Sequence, residues 1–359
     1  MKQPALGLVA SAVVIAIALA YISLFAAGTF LGWVSFFMLG LIPMQVVAVV
    51  LWSGGNPGFV KSLGQPAKGV VLVLVTVVVA AVATAAAFVV VGEGVSPPGP
   101  IPSHFAVVVV PTTFWLAIMM GGWPFTSVFK NPIVAGLAVV VAAYVLTYVE
   151  FRVFFNYDFM QGAPVYLSSA PRGMFNGVLA LVFHVTALAV MFLVLCFDLW
   201  PLTSSPGIMK QPVLGAVWSI IALGGSGLAL WLGVGVFGMD PMAFLTGVTA
   251  PFIFGSIIVL NMLQNSLFAA MSQPAKGLVN AIAAAAIGVV LGHLYVALAP
   301  MVTGTLASGP PGYDLEVWLA NALLSVTFPF LIYHAVFFEY WPLQKRATAA
   351  MSAAGVKSA

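Results

Sequence analysis

Apolar runs of about twenty residues, each bounded by glycine, proline or charge, follow one another along almost the whole chain. Ten of them fall near 4–29, 31–52, 69–92, 103–123, 131–153, 174–199, 212–237, 241–264, 276–299 and 316–341. A helix needs about 20 mostly apolar residues to cross the hydrocarbon of a bilayer. The pattern therefore predicts an all-α polytopic integral membrane protein of about ten transmembrane helices.

The punctuation between the runs repeats. Met1-Lys2-Gln3-Pro4-Ala5-Leu6-Gly7 returns as Met209-Lys210-Gln211-Pro212-Val213-Leu214-Gly215, and Gln65-Pro66-Ala67-Lys68-Gly69 returns as Gln273-Pro274-Ala275-Lys276-Gly277. Position 1 matches 209 and position 65 matches 273, the same offset of 208, so the match runs without a gap. A weaker copy stands at Asn131-Pro132-Ile133-Val134-Ala135-Gly136. Each copy opens an odd-numbered helix, where proline suits the first helical position because its missing N–H would be unpaired there anyway. Even-numbered helices close on Trp123-Pro124, Trp200-Pro201 and Trp341-Pro342, tryptophans placed for the aromatic belt of a membrane interface. The chain thus divides into five tandem, parallel helix-hairpin repeats, about 1–63, 64–129, 130–208, 209–271 and 272–345, forming one transmembrane domain over 1–345 with a short cytoplasmic tail, 346–359. Parallel units of this kind differ from the inverted repeats of many secondary transporters. The counterpart of the first helix lies mid-chain, so that helix is expected to be retained rather than cleaved as a signal.

Charge adds orientation. With the N-terminus inside, Lys2, Lys61, Lys68, Lys130, Lys210, Lys276, Lys345, Arg346 and Lys357 are cytoplasmic, nine of the 11 basic residues. Arg152 and Arg172 stay outside, near Glu93, Glu150, Asp158, Asp240, Asp314 and Glu316. By the positive-inside rule both termini are cytoplasmic, in the plasma (inner) membrane. Only 5% of the residues are charged, 63% are hydrophobic, and the net charge is +3; mean hydropathy is +1.16. Such a balance points to anionic lipid headgroups and not to nucleic acid. The expected partners are the bilayer and other membrane proteins or further copies of the chain.

Four even helices carry an internal proline, Pro43, Pro111, Pro251 and Pro329. Each removes one backbone hydrogen bond and crowds the carbonyl four residues back, so kinks are expected there, around a shared interior. Ionisable groups inside spans are costly and mark function. They are Glu150, which must pair with a base or take up a proton, with His104 and His293 as neighbours at its depth, and His184, His293 and His334. Thr112, Thr113 and Gln45 supply further polarity near mid-depth. Asp198 and Glu339 end two helices, where the dipole disfavours an anion, and Lys210, and Lys345 or Arg346, are the expected counter-ions.

No phosphate loop, zinc-protease helix or nucleophile elbow is present, and one cysteine, Cys196, excludes an intrachain disulfide. Three functions fit. The first is transport or permeation of a small solute at a site lined by the proline-kinked helices. The second is a redox subunit holding b-type haem or quinone, with His184 and His293 as the metal ligands only if haem is bound. The third is a structural or assembly subunit of a membrane complex. No cofactor is predicted, and haem b belongs to the second alternative alone.

Overall fold

The computed structural model describes residues 1–52 and 57–344, and 71% of the chain is helical. The predicted tail, 346–359, lies outside the described residues. Ten helices are long and apolar enough to cross a membrane: α1 Ala5–Ile22, α2 Ala27–Val50, α3 Ala67–Val90, α4 Pro100–Met119, α5 Pro132–Phe154, α6 Gly177–Cys196, α7 Val213–Val236, α8 Pro241–Met262, α9 Ala275–Val302 and α10 Asp314–Phe337. Hydropathy misplaces several ends by a turn: Ser23, Leu24 and Phe25 continue the apolar run yet form the bend between α1 and α2. Between α5 and α6 two short strands, β1 Phe155–Asn156 and β2 Phe175–Asn176, pair in parallel.

The helices form two concentric layers. The even helices touch in the cyclic order α2, α4, α6, α8, α10, and α10 closes against α2. Each odd helix fills an outer groove between two of them: α3 packs on α2 and α10, α5 on α4 and α2, α7 on α6 and α4, α9 on α8 and α6, α1 on α10 and α8. Half or more of each even helix is buried, 50–72%, against 28–44% of each odd helix. The outer layer turns Val78, Val82, Val141, Ile220 and Leu223 outward, an apolar surface matched to acyl chains.

Where odd helices begin and even helices end, the backbone has orphan N–H and C=O groups that lipid cannot satisfy. The glutamine of the repeated motif serves both. Gln3 Nε2 donates to the Met262 carbonyl at the end of α8, 3.1 Å away, while its Oε1 accepts the Gly7 N–H of the first turn of α1. Gln211 does the same between the Met119 carbonyl of α4 and the Gly215 N–H of α7. Gln65 Nε2 reaches the Phe337 carbonyl of α10 at 2.7 Å, and Trp52, just after α2, donates to the Pro132 carbonyl of α5 at 2.9 Å. Pro4, Pro66, Pro212 and Pro274 stand one residue before their helices instead of at the first helical position; of the five motif prolines Pro132 alone opens its helix directly.

The proline-bearing even helices are not uniform α-helices. Widened π turns cover Phe30–Val34 in α2, Trp115–Met119 in α4, Leu245–Thr249 and Ile258–Met262 in α8, and Asn321–Thr327 and Tyr333–Phe337 in α10. α6 lacks proline and is α-helical throughout. A π turn also covers Trp231–Val236 of the proline-free α7, whereas α9 carries Pro300 in an unbroken α-helix, so the widening does not track the prolines one for one. The even helices end on residues with positive φ: Gly121 and Gly122 after α4, Asp198 and Leu199 after α6, Gln264 and Asn265 after α8, Glu339 and Tyr340 after α10. Glycine takes this conformation freely, whereas other L-residues lose roughly 1–2 kcal/mol each.

Side-chain bonds at those ends correct the counter-ion expected for Asp198 and give Glu339 a partner from another helix. Asp198 pairs with Lys276 at 2.8 Å and accepts from Gln273 and Asn265; Glu339 pairs with Lys68 at 2.8 Å. Lys210 is exposed, and Lys345 and Arg346 lie outside the described residues. Lys276 and Lys68 both belong to the Gln-Pro-Ala-Lys-Gly motif and are brought in because each odd helix docks on an even helix remote in sequence. Partial burial opposes ionisation of Asp198, but the bonds from Lys276, Gln273 and Asn265 outweigh it and hold the carboxyl below its usual range.

A candidate axial cavity

The closed ring leaves space on its axis. A cavity of about 260 Å³ is bounded by Gln45, Val46 and Val49 of α2, Phe114 and Ile118 of α4, Phe192 and Leu195 of α6, Leu260 and Asn261 of α8 with Asn265 just beyond, and Phe328 and Ile332 of α10. All five even helices contribute. On every helix these positions lie toward the C-terminal end, so the cavity occupies the half of the bundle nearer the glutamine joints.

A second void, about 40 Å³, continues the axis toward the opposite face, lined by Leu39 and Ile42, Val107, Val110 and Pro111, Val185 and Leu188, Ile253 and Ile257, and Leu324. Phe114, Phe192 and Phe328 border both voids. Phe114 stands between the other two, its ring centroid 5.6 Å from that of Phe192 and 6.3 Å from that of Phe328. Three aromatic rings therefore separate the voids. Phe114 follows Pro111 by three residues and Phe328 immediately precedes Pro329. Phenylalanines beside kink prolines were the available sequence signal, and charge-based reasoning passed over them.

Polarity on the wall is sparse and comes from amides. Gln45 is fully buried; its Nε2 donates to the Pro329 carbonyl at 2.8 Å, while its Oε1 has no hydrogen-bond partner among the described residues. Asn261 faces the same cavity. Asn265 is tied on both sides, donating to Asp198 and accepting from the buried Asn280 at 2.7 Å. No Asp, Glu, Lys or Arg lines either void.

Of the residues expected to act, Gln45 stands on this wall and Pro111 borders the smaller void. Pro43, Pro251 and Pro329 are buried in their helices. Thr112 and Thr113 are buried and bond back to the Val108 and Val109 carbonyls of their own helix. Glu150 sits on the outer helix α5, away from both voids, and accepts from Thr112 Oγ1 at 3.1 Å; neither His104 nor His293 joins it. His104 instead meets Tyr157 at 3.0 Å, a loop residue whose phenol pKa is raised by burial. That loop is tied to the end of α3 through Glu93, whose carboxyl the Ser169 and Ser168 bonds hold below its ordinary pKa.

The histidines do not assemble. His184 Nδ1 lies 2.7 Å from the Ala180 carbonyl, with the ring against Phe155 and Phe183. His293 is exposed on the outer helix α9 and shares no hydrogen bond or ring contact with His184. His334 packs edge-on against Tyr340. Two facing imidazoles, which a bis-histidine haem requires, are not formed by these residues. Among the described residues no group of three or more His, Cys, Asp or Glu is placed to hold a metal ion. Compared with known protein families, curated proteins and solved structures, the chain matches none.

Proposed function

We propose that this is a membrane permeation or transport protein whose small solute crosses along the axis of the even-helix ring. The observation that carries the reading is the pair of axial voids, both walled by all five even helices and separated by Phe114, Phe192 and Phe328. In this reading the cavity is the solute site, the three rings are the barrier, and the outer helices hold the ring closed and face lipid. The molecule is then five tandem, parallel helix hairpins joined into a circle, which accounts for the glutamine joint recurring at successive odd helices. Both termini face the cytoplasm, where the basic residues collect.

Reconstitution tests it. Phe114→Ala removes the central ring and should raise solute flux through proteoliposomes by tenfold or more, on the order of the 1.4 kcal/mol that a tenfold rate change requires. Flux unchanged in Phe114→Ala, with the protein folded, would move the route away from the axis. For orientation, single cysteines replacing Asp158 and Asp314 in a Cys196→Ala background should react with an impermeant thiol reagent added outside, and one replacing Lys61 should not.

A further inference from the structure

Resting on the axial permeation reading, we infer that the cavity selects small uncharged solutes bearing an N–H or O–H donor, which Gln45 Oε1 accepts. The orientation of this amide is fixed by its surroundings. A carbonyl oxygen can only accept, so the atom 2.8 Å from the Pro329 carbonyl must be the NH2 group, and the atom left over is the acceptor. That acceptor is unpaired and closed to water on a residue that lines the cavity, so the wall must give slightly for a solute to reach it. A buried acceptor without a donor loses roughly 1–3 kcal/mol of hydration with no return, and none of the described side chains supplies the missing donor. A solute that brings one recovers this term, and a solute that offers only acceptors does not.

The rest of the wall narrows the class. Valine, leucine, isoleucine and phenylalanine make up most of it, and no ionisable side chain borders the cavity. The carboxylate bonded to Asn265, that of Asp198, is already paired with Lys276. A bare ion would lose its hydration to this wall without a counter-charge, at a cost of several kcal/mol. Anions are further disfavoured by the free Gln45 oxygen. Asn261, whose side chain makes no hydrogen bond among the described residues, can give or accept a second bond, so a solute with both a donor and an acceptor fits best. At about 260 Å³ the cavity is smaller than the roughly 300–1,000 Å³ of sites for drug-sized ligands; since a cavity of about 150 Å³ holds benzene, it limits the solute to roughly ten heavy atoms.

The experiment compares urea and acetamide, which carry N–H donors, with trimethylamine N-oxide, which is uncharged and only accepts, and with potassium and chloride. Stopped-flow light scattering reports entry of the neutral solutes into proteoliposomes, and ion-sensitive dyes report the ions. Urea and acetamide should enter faster than into protein-free vesicles; trimethylamine N-oxide, potassium and chloride should not. Gln45→Leu should lower urea and acetamide entry about five- to tenfold, the value of one hydrogen bond. Leu195→Trp, which fills the cavity from α6, a helix that does not adjoin α2 in the ring, should abolish it. Saturation-transfer NMR of acetamide against the detergent-solubilised protein reads binding without transport and should lose its signal in both variants. Ion flux through the native protein, or acetamide binding that survives Gln45→Leu, overturns the solute class and leaves the axial route standing. Absence of any flux, even in Phe114→Ala, removes the permeation reading, while donor-dependent acetamide binding would still uphold the cavity's selectivity.

Discussion

The tightest contact in the bundle gives the sharpest test of how the outer helices set the inner ring. α8 and α9 meet backbone to backbone: a Cβ on Gly255 would lie 2.8 Å from the Ala284 carbonyl carbon and 2.9 Å from the Gly288 nitrogen, and would overlap the Ala284 carbonyl oxygen. Carbon atoms in contact prefer about 3.5–4.0 Å, so Gly255→Ala forces the helices roughly 1 Å apart. No rotamer relieves it, because the obstructing atoms are main chain. Overpacking costs about 1–3 kcal/mol, and this contact belongs at the upper end; the better helix propensity of alanine returns about 1 kcal/mol. The net loss is about 2 kcal/mol, or roughly 4 °C in thermal midpoint. Gly288→Ala, which would meet the Pro251 carbonyl, should behave alike. Gly227→Ala on α7 is the control, since nothing lies within 4 Å of the added carbon, and its midpoint should hold or rise. Displacing α8 also moves Leu260 and Asn261 on the cavity wall, so flux should fall in the two destabilised variants. Equal midpoints for Gly255→Ala and Gly227→Ala in scanning fluorimetry would refute this packing.

Three further outcomes follow from side-chain partners. Asp198→Ala removes the Lys276, Gln273 and Asn265 bonds while keeping a non-glycine residue at φ 48°, whereas Asp198→Gly loses the same bonds but relaxes the backbone; the glycine variant should be the more stable by about 1 kcal/mol in fluorimetry, and a reversed order would show that the backbone there is not under strain. The Asp198 carboxyl is held below its usual range, so its contribution is present above the unfolded value of about 3.9 and is lost as pH falls through the folded one; native protein should lose midpoint on acidification below about pH 4 more steeply than Asp198→Asn. Glu150→Gln keeps an acceptor for Thr112 and lies off the axis, so proteoliposome flux should match the native protein. A clear loss of flux would instead place the solute between α4 and α5.

The sequence was legible where the physics is local or strongly averaged. Twenty-residue apolar runs predict all ten helices, since composition over such a length overrides the detail of any single residue. The motif copies at Gln3, Gln65, Asn131, Gln211 and Gln273 marked the places where odd helices begin. What the glutamine binds could not be read from them: Gln3 finds Met262 on α8 and Gln211 finds Met119 on α4, partners 259 and 92 residues away. Searching for counter-ions near in sequence therefore chose Lys210 for Asp198, and the fold supplied Lys276. The candidate site was only partly legible. Rarity within the membrane drew attention to Glu150, His184 and His293, yet these sit on outer surfaces or bond to their own surroundings, and of the polar candidates only Gln45 borders the axis.

That contrast has a physical basis. In a two-layered ring a residue's cost depends on which layer its helix occupies and which way it points, and composition carries neither. Gln45 is inexpensive by the usual intramembrane scale because half of its amide is satisfied by the Pro329 carbonyl, and that bond is available because α10 runs beside α2 in the ring. The same bond also fixes which half remains free. Proline on α10 thus bears on the chemistry of the axis through backbone geometry as well as shape. Replacing Pro329 by Ala should let α10 straighten, withdraw the carbonyl from Gln45 and free the amide to rotate. Donor and acceptor solutes would then enter at more nearly equal rates, with the protein folded. Retention of the full preference for urea over trimethylamine N-oxide in Pro329→Ala would break the link between the kink and the selectivity.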